Sequence, residues 1–365
     1  MAGAAGNSSE GIIQQSVRSH RKGLVSVVVV NWDRRVLLRA CLESLARQRG
    51  VEFEVVVVDN GSGDGSVEML AREFSSAQPF SLQIIRNREN RGFCSANNQA
   101  FAASSGEWIA LLNNDAEADP DWLCSLRSAC DNRPEVGMAA SKILVHEDPQ
   151  RIDKVGQLIY LDGQNRGRGM GEIDHGQYDH TEEALWPDGC AALYRRDMLD
   201  QIGGFDEDFF AYGDDAELGL RARIAGWHCL YVPRAVVRHR RGSTLGLQSP
   251  RRIELIERNR VLLAAKLFPW SLLWLNGAFY LARLAAGTWA ALRNRGEAAR
   301  FQGMRGKWLL ASSLIKGDLA ALKLLPTMLR KRRQMRRIRK LTPGQVRQLL
   351  FRYRISLHEL LERSN

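Results

Sequence analysis

The sequence predicts an α/β fold, a mostly parallel sheet with helices on both faces, followed by a helical and basic C-terminal region. Three observations carry this reading. Apolar, β-branched runs alternate with helix-spaced segments four times before residue 132, the pattern of βα units and of a sheet buried on both sides. Each run ends in a loop rich in Asn and Asp, and ligands of open α/β sheets bind beyond such strand ends. Past residue 250 the strand signals stop, and residues 293–365 hold 19 Lys and Arg against four Asp and Glu.

In order, residues 24–30 (LVSVVVV) form the first strand, and after Asn31-Trp32-Asp33 the residues Val36, Leu37, Ala40, Cys41 and Leu45 recur at helical spacing. Gly50 closes that helix. Residues 53–58 (FEVVVV) form the second strand, ending in a polar glycine-rich loop from Asp59 to Ser66. Ser66 is placed to cap the next helix, and the absence of G-x-G-x-x-G argues against a dinucleotide site. Residues 82–85 make a third strand, followed by a loop containing Arg91-Gly92 and a small-residue helix over 94–104. That helix N-terminus beside Arg91 reads as an anion site, since exposed N–H groups and a guanidinium both favour phosphate.

Residues 109–112 form the fourth strand and lead into Asn113-Asn114-Asp115, with Asp119-Pro120 reading as the cap and first turn of a helix. Residues 137–143 suggest another strand. Residues 150–183 have no periodicity, as expected of a functional loop or mobile lid. Residues 190–194 return to a strand, with Asp188-Gly189 at its site-like edge. Residues 206–217 hold six acids interleaved with aromatics, an odd composition for a solvated face. A helix follows over 215–225, so Asp214 and Asp215 either cap it or stand at its positive end as anions available for base chemistry. Residues 227–232 are the last strand. His239 lies beyond it, and beside Asp115 it would make a carboxylate and imidazole pair suited to a divalent metal.

The 365 residues, 45% hydrophobic, can bury one large core or two modest ones. The net charge of +11 resides in the tail, while the first 292 residues are slightly acidic. No helix-turn-helix, zinc-finger or RNP-type pattern accompanies the basic tail, so it points away from nucleic acid and toward an anionic membrane surface. Six scattered cysteines without a C-x-x-C pair fit buried thiols in a reducing compartment. Residues 1–22 lack an apolar signal core and read as a flexible leader, residues 23–249 as the α/β domain, and residues 250–365 as the tail. Within the tail, residues 270–292 are mostly apolar but include Asn276 and Arg283. An arginine near a helix centre costs about 2.5–3.5 kcal/mol on insertion scales, which favours an interfacial, re-entrant or packed helix over a span.

These stretches together resemble a known family. Residues 24–245 are similar to inverting glycosyltransferases of family two, with the GT-A, Rossmann-like nucleotide-sugar-binding fold, and most closely to the rhamnosyltransferase-like branch. The segments VSVVVVNWDRRVLLRACLESL, VVVVDNGSGDGS, NRENRGFCSANNQA, LLNNDAEADPDWL, GGFDEDFFAYGDDAELGLRARIAGW and VVRHRRGS follow in the family's order. The resemblance implies that Asp59 contacts the nucleobase and Asn31 lies near the nucleotide. It makes Asn113-Asn114-Asp115 the DXD-type motif, with Asp115 holding a divalent ion, Mg²⁺ or Mn²⁺, that bridges the donor diphosphate. Asn113 replaces the first acid, leaving Asp115 as the only carboxylate ligand, and His239 matches a metal-ligating histidine of some members. Asp215 becomes the general base and Asp214 its neighbour. Asn60, Arg91, Gly92, Asp188 and Gly189 complete the expected substrate contacts.

The implied activity is transfer of a hexosyl or deoxyhexosyl group, rhamnose among them. It would run from a nucleotide-diphosphate sugar to a hydroxyl of a glycan or lipid-linked acceptor in cell-surface polysaccharide synthesis, at the cytoplasmic face of the cell membrane. The alternative, suggested by Asn113 and Asp214, is a catalytically impaired nucleotide-sugar-binding or scaffolding protein. Oligomeric state is left open.

Overall fold

The computed structural model describes residues 20–75, 78–242, 246, 249–293, 301 and 303–361; most of the expected leader (residues 1–19) lies outside them. The valine runs explain the sheet. In β1 (Arg21–Asn31), Val25, Val27 and Val29 enter one core and Val28 the other; in β2 (Phe53–Asp59), Val55 and Val57 share the first core and Val56 and Val58 the second. A strand read as uniformly apolar is thus one covered on both faces. The first core packs α1 (Arg35–Leu45), α2 (Ser66–Glu73) and α4 (Trp122–Ala129), and the second packs α3 (Gly92–Ala103) and the later helices.

The remaining strands are β3 (Ser81–Arg86), β4 (Gly106–Leu112), β5 (Ala116–Ala118), β6 (Val136–Val145), β7 (Asp148–Lys154), β8 (Gln157–Ile159), β9 (Asn165–Gly167), β10 (Glu182–Ala184), β11 (Ala191–Arg195) and β12 (His228–His239). The sheet order is β10-β12-β6-β11-β4-β1-β2-β3. β3, β2, β1 and β4 run parallel. β11 is antiparallel to both β4 and β6, so β6 and its parallel partner β12 point the same way as the first four. One edge of the sheet therefore collects the residues after β1, β2 and β4, the residues before β11, and the end of β12.

Several local expectations are corrected. Ser66 is not a cap but the first residue of α2, where Asp64 Oδ1 accepts from its N–H at 3.0 Å and its hydroxyl at 2.5 Å. α4 starts at Trp122 behind Asp121, and Asp119 pairs with Arg238 instead. Residues 150–183 are not structureless: β7 pairs with β6, β8 and β9 form a hairpin, and β10 pairs with β12. The last strand does not stop at 232, because a register shift between Val232 and Val236 lets it continue to His239 alongside β6 and β5. All six cysteines are free, and all but Cys124 are buried.

α5 (Arg196–Ile202) and α6 (Asp214–Ile224) precede the tail helices α7 (Pro250–Leu267), α8 (Trp270–Leu292), α9 (Gly303–Gln334) and α10 (Pro343–Arg352). α8 covers the apolar run read from the sequence, but its polar residues turn inward. Arg283 donates to Asp162 Oδ2 at 2.5 Å and Glu257 Oε1 at 2.7 Å, and Asn276 donates to the Leu161 carbonyl. Among the described residues no helix is long and apolar enough to cross a membrane.

Candidate active site

A cavity of about 410 Å³ opens at the carboxyl edge of the sheet. Asn60, Gly92, Asn113, Asn114, Asp115, Asp188, Gly189, Asp214, Asp215 and His239 all line it. Asn31, Asp59 and Arg91 are not among the lining residues. Asn31 is fully buried one layer beneath, donating to Asp59 Oδ1 at 3.1 Å and accepting from Asn114 at 2.8 Å. Asp59 also accepts from the Ser62 N–H, so it shapes its own loop. Arg91 is exposed, and the expected anion site at the start of α3 is already filled from within. Arg91 N–H donates to Asn60, Gly92 N–H to Asn90, and Cys94 N–H to the Phe210 carbonyl. Gly92 is required there: its φ is +84°, and a Cβ would stand 2.5 Å from the Phe210 ring.

On one side of the cavity, β12 ends at His239 and β4 leads to Asp115. The two approach at 3.4 Å, from His239 Nε2 to Asp115 Oδ1. That Asp115 oxygen is buried and accepts no hydrogen bond. The opposite ring nitrogen, Nδ1, lies 2.7 Å from Asp153 Oδ2, and Arg241 Nε reaches the other Asp153 oxygen at 3.0 Å. Burial alone would favour a neutral His239, but Cys190, Asp115 and Asp153 hold its pKa well above the usual value. Among the described residues no group of three or more His, Cys, Asp or Glu could hold a metal ion. One carboxylate oxygen with an open lone pair and one imidazole that gives up its Nε2 proton as the ion binds nevertheless fit Mg²⁺ or Mn²⁺, which bind through few protein ligands and take substrate phosphates and waters for the rest.

Facing them, Asp214 and Asp215 open α6 behind Gly213, whose φ of 71° turns the chain into the helix. Asp215 Oδ1 accepts from the Ala216 N–H at 2.8 Å and Oδ2 from the Gly189 N–H at 3.3 Å. Burial, with the nearby charge of Asp188, pushes its pKa up to about 7, against the opposing pull of Lys154. Burial and the charge of Asp215 raise the Asp214 pKa well above the carboxylate range. Asp188 in turn accepts from Lys154 at 2.7 Å and Gln157 at 2.5 Å. Burial would lower the Lys154 pKa, but Asp188 and Asp153 outweigh it, leaving a cation in the cavity wall.

Between these groups and the tail runs a strained segment. Phe210, with φ 64° and ψ −61°, centres a γ-turn closed by a 2.7 Å hydrogen bond from Ala211 N–H to the Phe209 carbonyl, and Tyr212 has φ 67°. Non-glycine residues in such positions cost on the order of 1–3 kcal/mol each and persist only where neighbours impose them. Asn259 of α7 imposes them: its side-chain N–H₂ donates to the carbonyls of Phe209, Ala211 and Tyr212 at 2.9, 2.9 and 2.6 Å. α7 also lines the cavity through Arg252, Ile256, Asn259 and Leu263.

The other acids of the 206–217 stretch are structural. Lys266 Nζ lies 2.5 Å from Asp206 and 2.6 Å from Glu217, and Lys331 pairs with Asp206 and Asp208. Burial would raise the Asp206 pKa, but these lysines hold it at about 2. Sequence reasoning missed Asp153, Lys154, Gln157, Arg252 and Asn259. The first three sit in the stretch without periodicity, and the last two lie on a helix whose own pattern carries no sign of a site.

With its cavity at the carboxyl edge, this largely parallel sheet has the GT-A arrangement of glycosyltransferases. The sequence model described as Glycosyl transferase family 2 matches residues 26–203, and the chain carries a domain of that family. It is 33% identical over 225 residues to the O-antigen biosynthesis protein RfbC of Myxococcus xanthus, over 59% of this chain and 17% of that protein. It is 26% identical over 245 residues to the N-acetylglucosaminyl-diphospho-decaprenol L-rhamnosyltransferase of Mycobacterium tuberculosis strain CDC 1551 / Oshkosh, covering 61% and 78% of the two chains. The chain thus spans less than a fifth of the Myxococcus protein's length. The crystal structure of GalNAc-T7 with UDP, GalNAc and Mn²⁺ shares the fold, with a TM-score of 0.51 at 15% identity over 66% of this chain and 50% of that one.

Proposed function

We propose that the chain is an inverting, metal-assisted glycosyltransferase that moves a hexosyl or deoxyhexosyl group, rhamnose being one candidate, from a nucleotide-diphosphate sugar. The acceptor would be a hydroxyl of a glycan or lipid-linked acceptor in cell-surface polysaccharide synthesis, at the cytoplasmic face of the membrane. The observation that carries the reading is that the Asp115 and His239 pair and the Asp214 and Asp215 pair face a single cavity. Asp115 and His239 would hold a divalent ion, which when bound neutralises charge on the leaving diphosphate. Asp215 removes the acceptor proton as that oxygen attacks the anomeric carbon opposite the diphosphate, so the bond to the diphosphate breaks with inversion. A pKa of about 7 suits that role near neutral pH. Burial beside Asp215 disfavours a second negative charge on Asp214, and Lys154 supplies a positive wall. Asn60 and Gly92 border the nucleotide side, with Asn31 and Asp59 bracing them from below. The rhamnosyltransferase relative supports a lipid-linked acceptor.

The test is calorimetric titration with dTDP-, UDP- and GDP-sugars, with and without Mn²⁺, on the wild type and Asp115→Ala, followed by turnover with the donor that binds. Metal-dependent binding lost in Asp115→Ala, together with transfer, is the expected result. Binding without turnover would favour a scaffolding role, and no binding of any donor would overturn the reading.

A further inference from the structure

α8 and α9 expose several large apolar side chains, and the face of α9 that packs inward is built mainly of small residues. On α9, Ser313, Gly317, Ala321 and Met328 are buried. A Cβ at Gly317 would stand 2.8 Å from the Glu254 carbonyl oxygen and 2.9 Å from Glu257 Cβ, so α9 lies hard against α7. The outer side carries Met304, Trp308, Ile315, Leu319, Leu322 and Leu329, spaced by three, four or seven residues and 40–81% exposed. α8 buries Leu272 but also presents Trp270, Trp274, Leu281 and Trp289, 58–85% exposed. The two helices run antiparallel, since Arg332 stacks on the Trp270 ring at 4.5 Å and Tyr280 donates to Asp318.

We propose that the α8 and α9 pair is an in-plane docking surface for an anionic lipid bilayer. Large apolar side chains left exposed along one side of a helix mark interaction sites, and three features select a bilayer. The exposed stripes are rich in tryptophan, the residue that favours the membrane–water interface. Exposed Arg305, Lys316, Lys323 and Arg330 border the α9 stripe. Between residues 270 and 334 the sequence has twelve Lys and Arg but only two acids, Glu297 and Asp318, and Asp318 is paired with Arg260. An apolar stripe with a basic border is the pattern of helices that lie in the headgroup layer. The surface does not extend into the charge-dense segment over 331–340, where Lys331 and Arg332 make contacts within the chain.

The consequence for the site is positional. α7 presents Ile256, Asn259 and Leu263 to the cavity and its Glu254 and Glu257 edge to α9. A docked chain therefore holds its cavity about one helix diameter, on the order of 10 Å, behind the layer that meets lipid. A lipid-linked acceptor needs that proximity, although the docking inference does not depend on the catalytic reading.

The experiment is sedimentation of the full chain with phosphatidylcholine vesicles, with and without phosphatidylglycerol. The wild type is compared with Trp274→Glu/Leu281→Glu, Ile315→Glu/Leu322→Glu and Lys316→Gln/Lys323→Gln. We expect the wild type to bind the anionic vesicles more tightly, and each Glu pair to weaken binding about tenfold or more, because apolar burial is lost and charge is placed in the interface. The Lys pair should flatten the salt dependence. Melting temperature and metal-dependent donor binding should not change, since none of these residues lines the cavity. Failure of the wild type to bind vesicles, or equal binding by the Glu variants, would overturn the proposal. So would a stable dimer that the Glu variants split without any vesicle affinity, which would assign the stripes to a second copy. Vesicle binding without binding of any donor would sink the catalytic reading and leave this one standing.

Discussion

Asp153 Oδ2 stands 2.7 Å from Nδ1 of His239, on the ring edge opposite the one that faces Asp115. A carboxylate behind an imidazole fixes which nitrogen is free to bind and how the ring points. Replacing Asp153 with Asn should weaken Mn²⁺-dependent donor binding about 10- to 100-fold. Metal titration at fixed donor measures this, and an unchanged affinity would show that His239 binds no metal or needs no orientation.

Asp215→Asn should lower the transfer rate by roughly 10²- to 10⁴-fold while donor binding persists. The wild-type rate should also depend on pH. With the Asp215 pKa near 7, the active, deprotonated form is lost as pH falls below that value, about tenfold per unit. A flat profile between pH 5 and 8, at a rate limited by chemistry, would assign the base elsewhere.

The same carboxylates give stability a sign. Asp214 and Asp215 hold protons to higher pH when folded than their ordinary value of 3.8. The folded state therefore binds more protons, and its stability declines as pH rises from about 4 through 7. Asp214→Asn removes one buried acid, so it should melt higher than the wild type at pH 8 and gain nothing at pH 4. The gain should be about 1–2 °C per kcal/mol relieved in a chain of this length. A gain at both pH values would point to packing instead.

Asn259→Leu should damage transfer more than folding. The Ala211 and Tyr212 carbonyls lose the Asn259 donor, while that of Phe209 keeps Arg258 and the Ala211 N–H, a loss of about 1–3 kcal/mol of stability. The relaxed Phe210 to Tyr212 segment should lower the transfer rate about tenfold or more, since displacements of about 1 Å cost on the order of 100-fold. Wild-type turnover in a folded Asn259→Leu protein would remove the segment from the mechanism.

Arg283→Leu leaves Asp162 and Glu257 short of a partner they share with Arg260. Losing one member of a buried ion cluster costs roughly 3–5 kcal/mol, measurable by urea denaturation. If the arginine were only a blemish on an apolar helix, the substitution would stabilise instead.

The strand and helix order was legible because two faces of apolar valines leave runs that no other element produces. The cluster of Asn113, Asn114, Asp115, Asp214 and Asp215 was legible because parallel strands deliver their following loops to one edge. The direction of β11 was not, since a short apolar run reads the same both ways. β8 and β9, three residues each and rich in polar side chains, carry no period to detect. Asp206 and Glu217 looked like site acids because Lys266 and Lys331, which neutralise them, come 49 or more residues later in the chain. Asn259 had no local signature at all, because its role is set by carbonyls nearly fifty residues away.

That last separation matters for a chain made from one end. A polypeptide arrested after residue 242 would already hold Asp115, His239 and both acids of α6, but not Asn259, the side-chain donor to the carbonyls of Phe209, Ala211 and Tyr212. Completion of the cavity wall then waits on α7 and on the helices that pack against it. Synthesis from the N-terminus thus sets an order of assembly in which the segment carrying the exposed tryptophans arrives with the part that finishes the cavity.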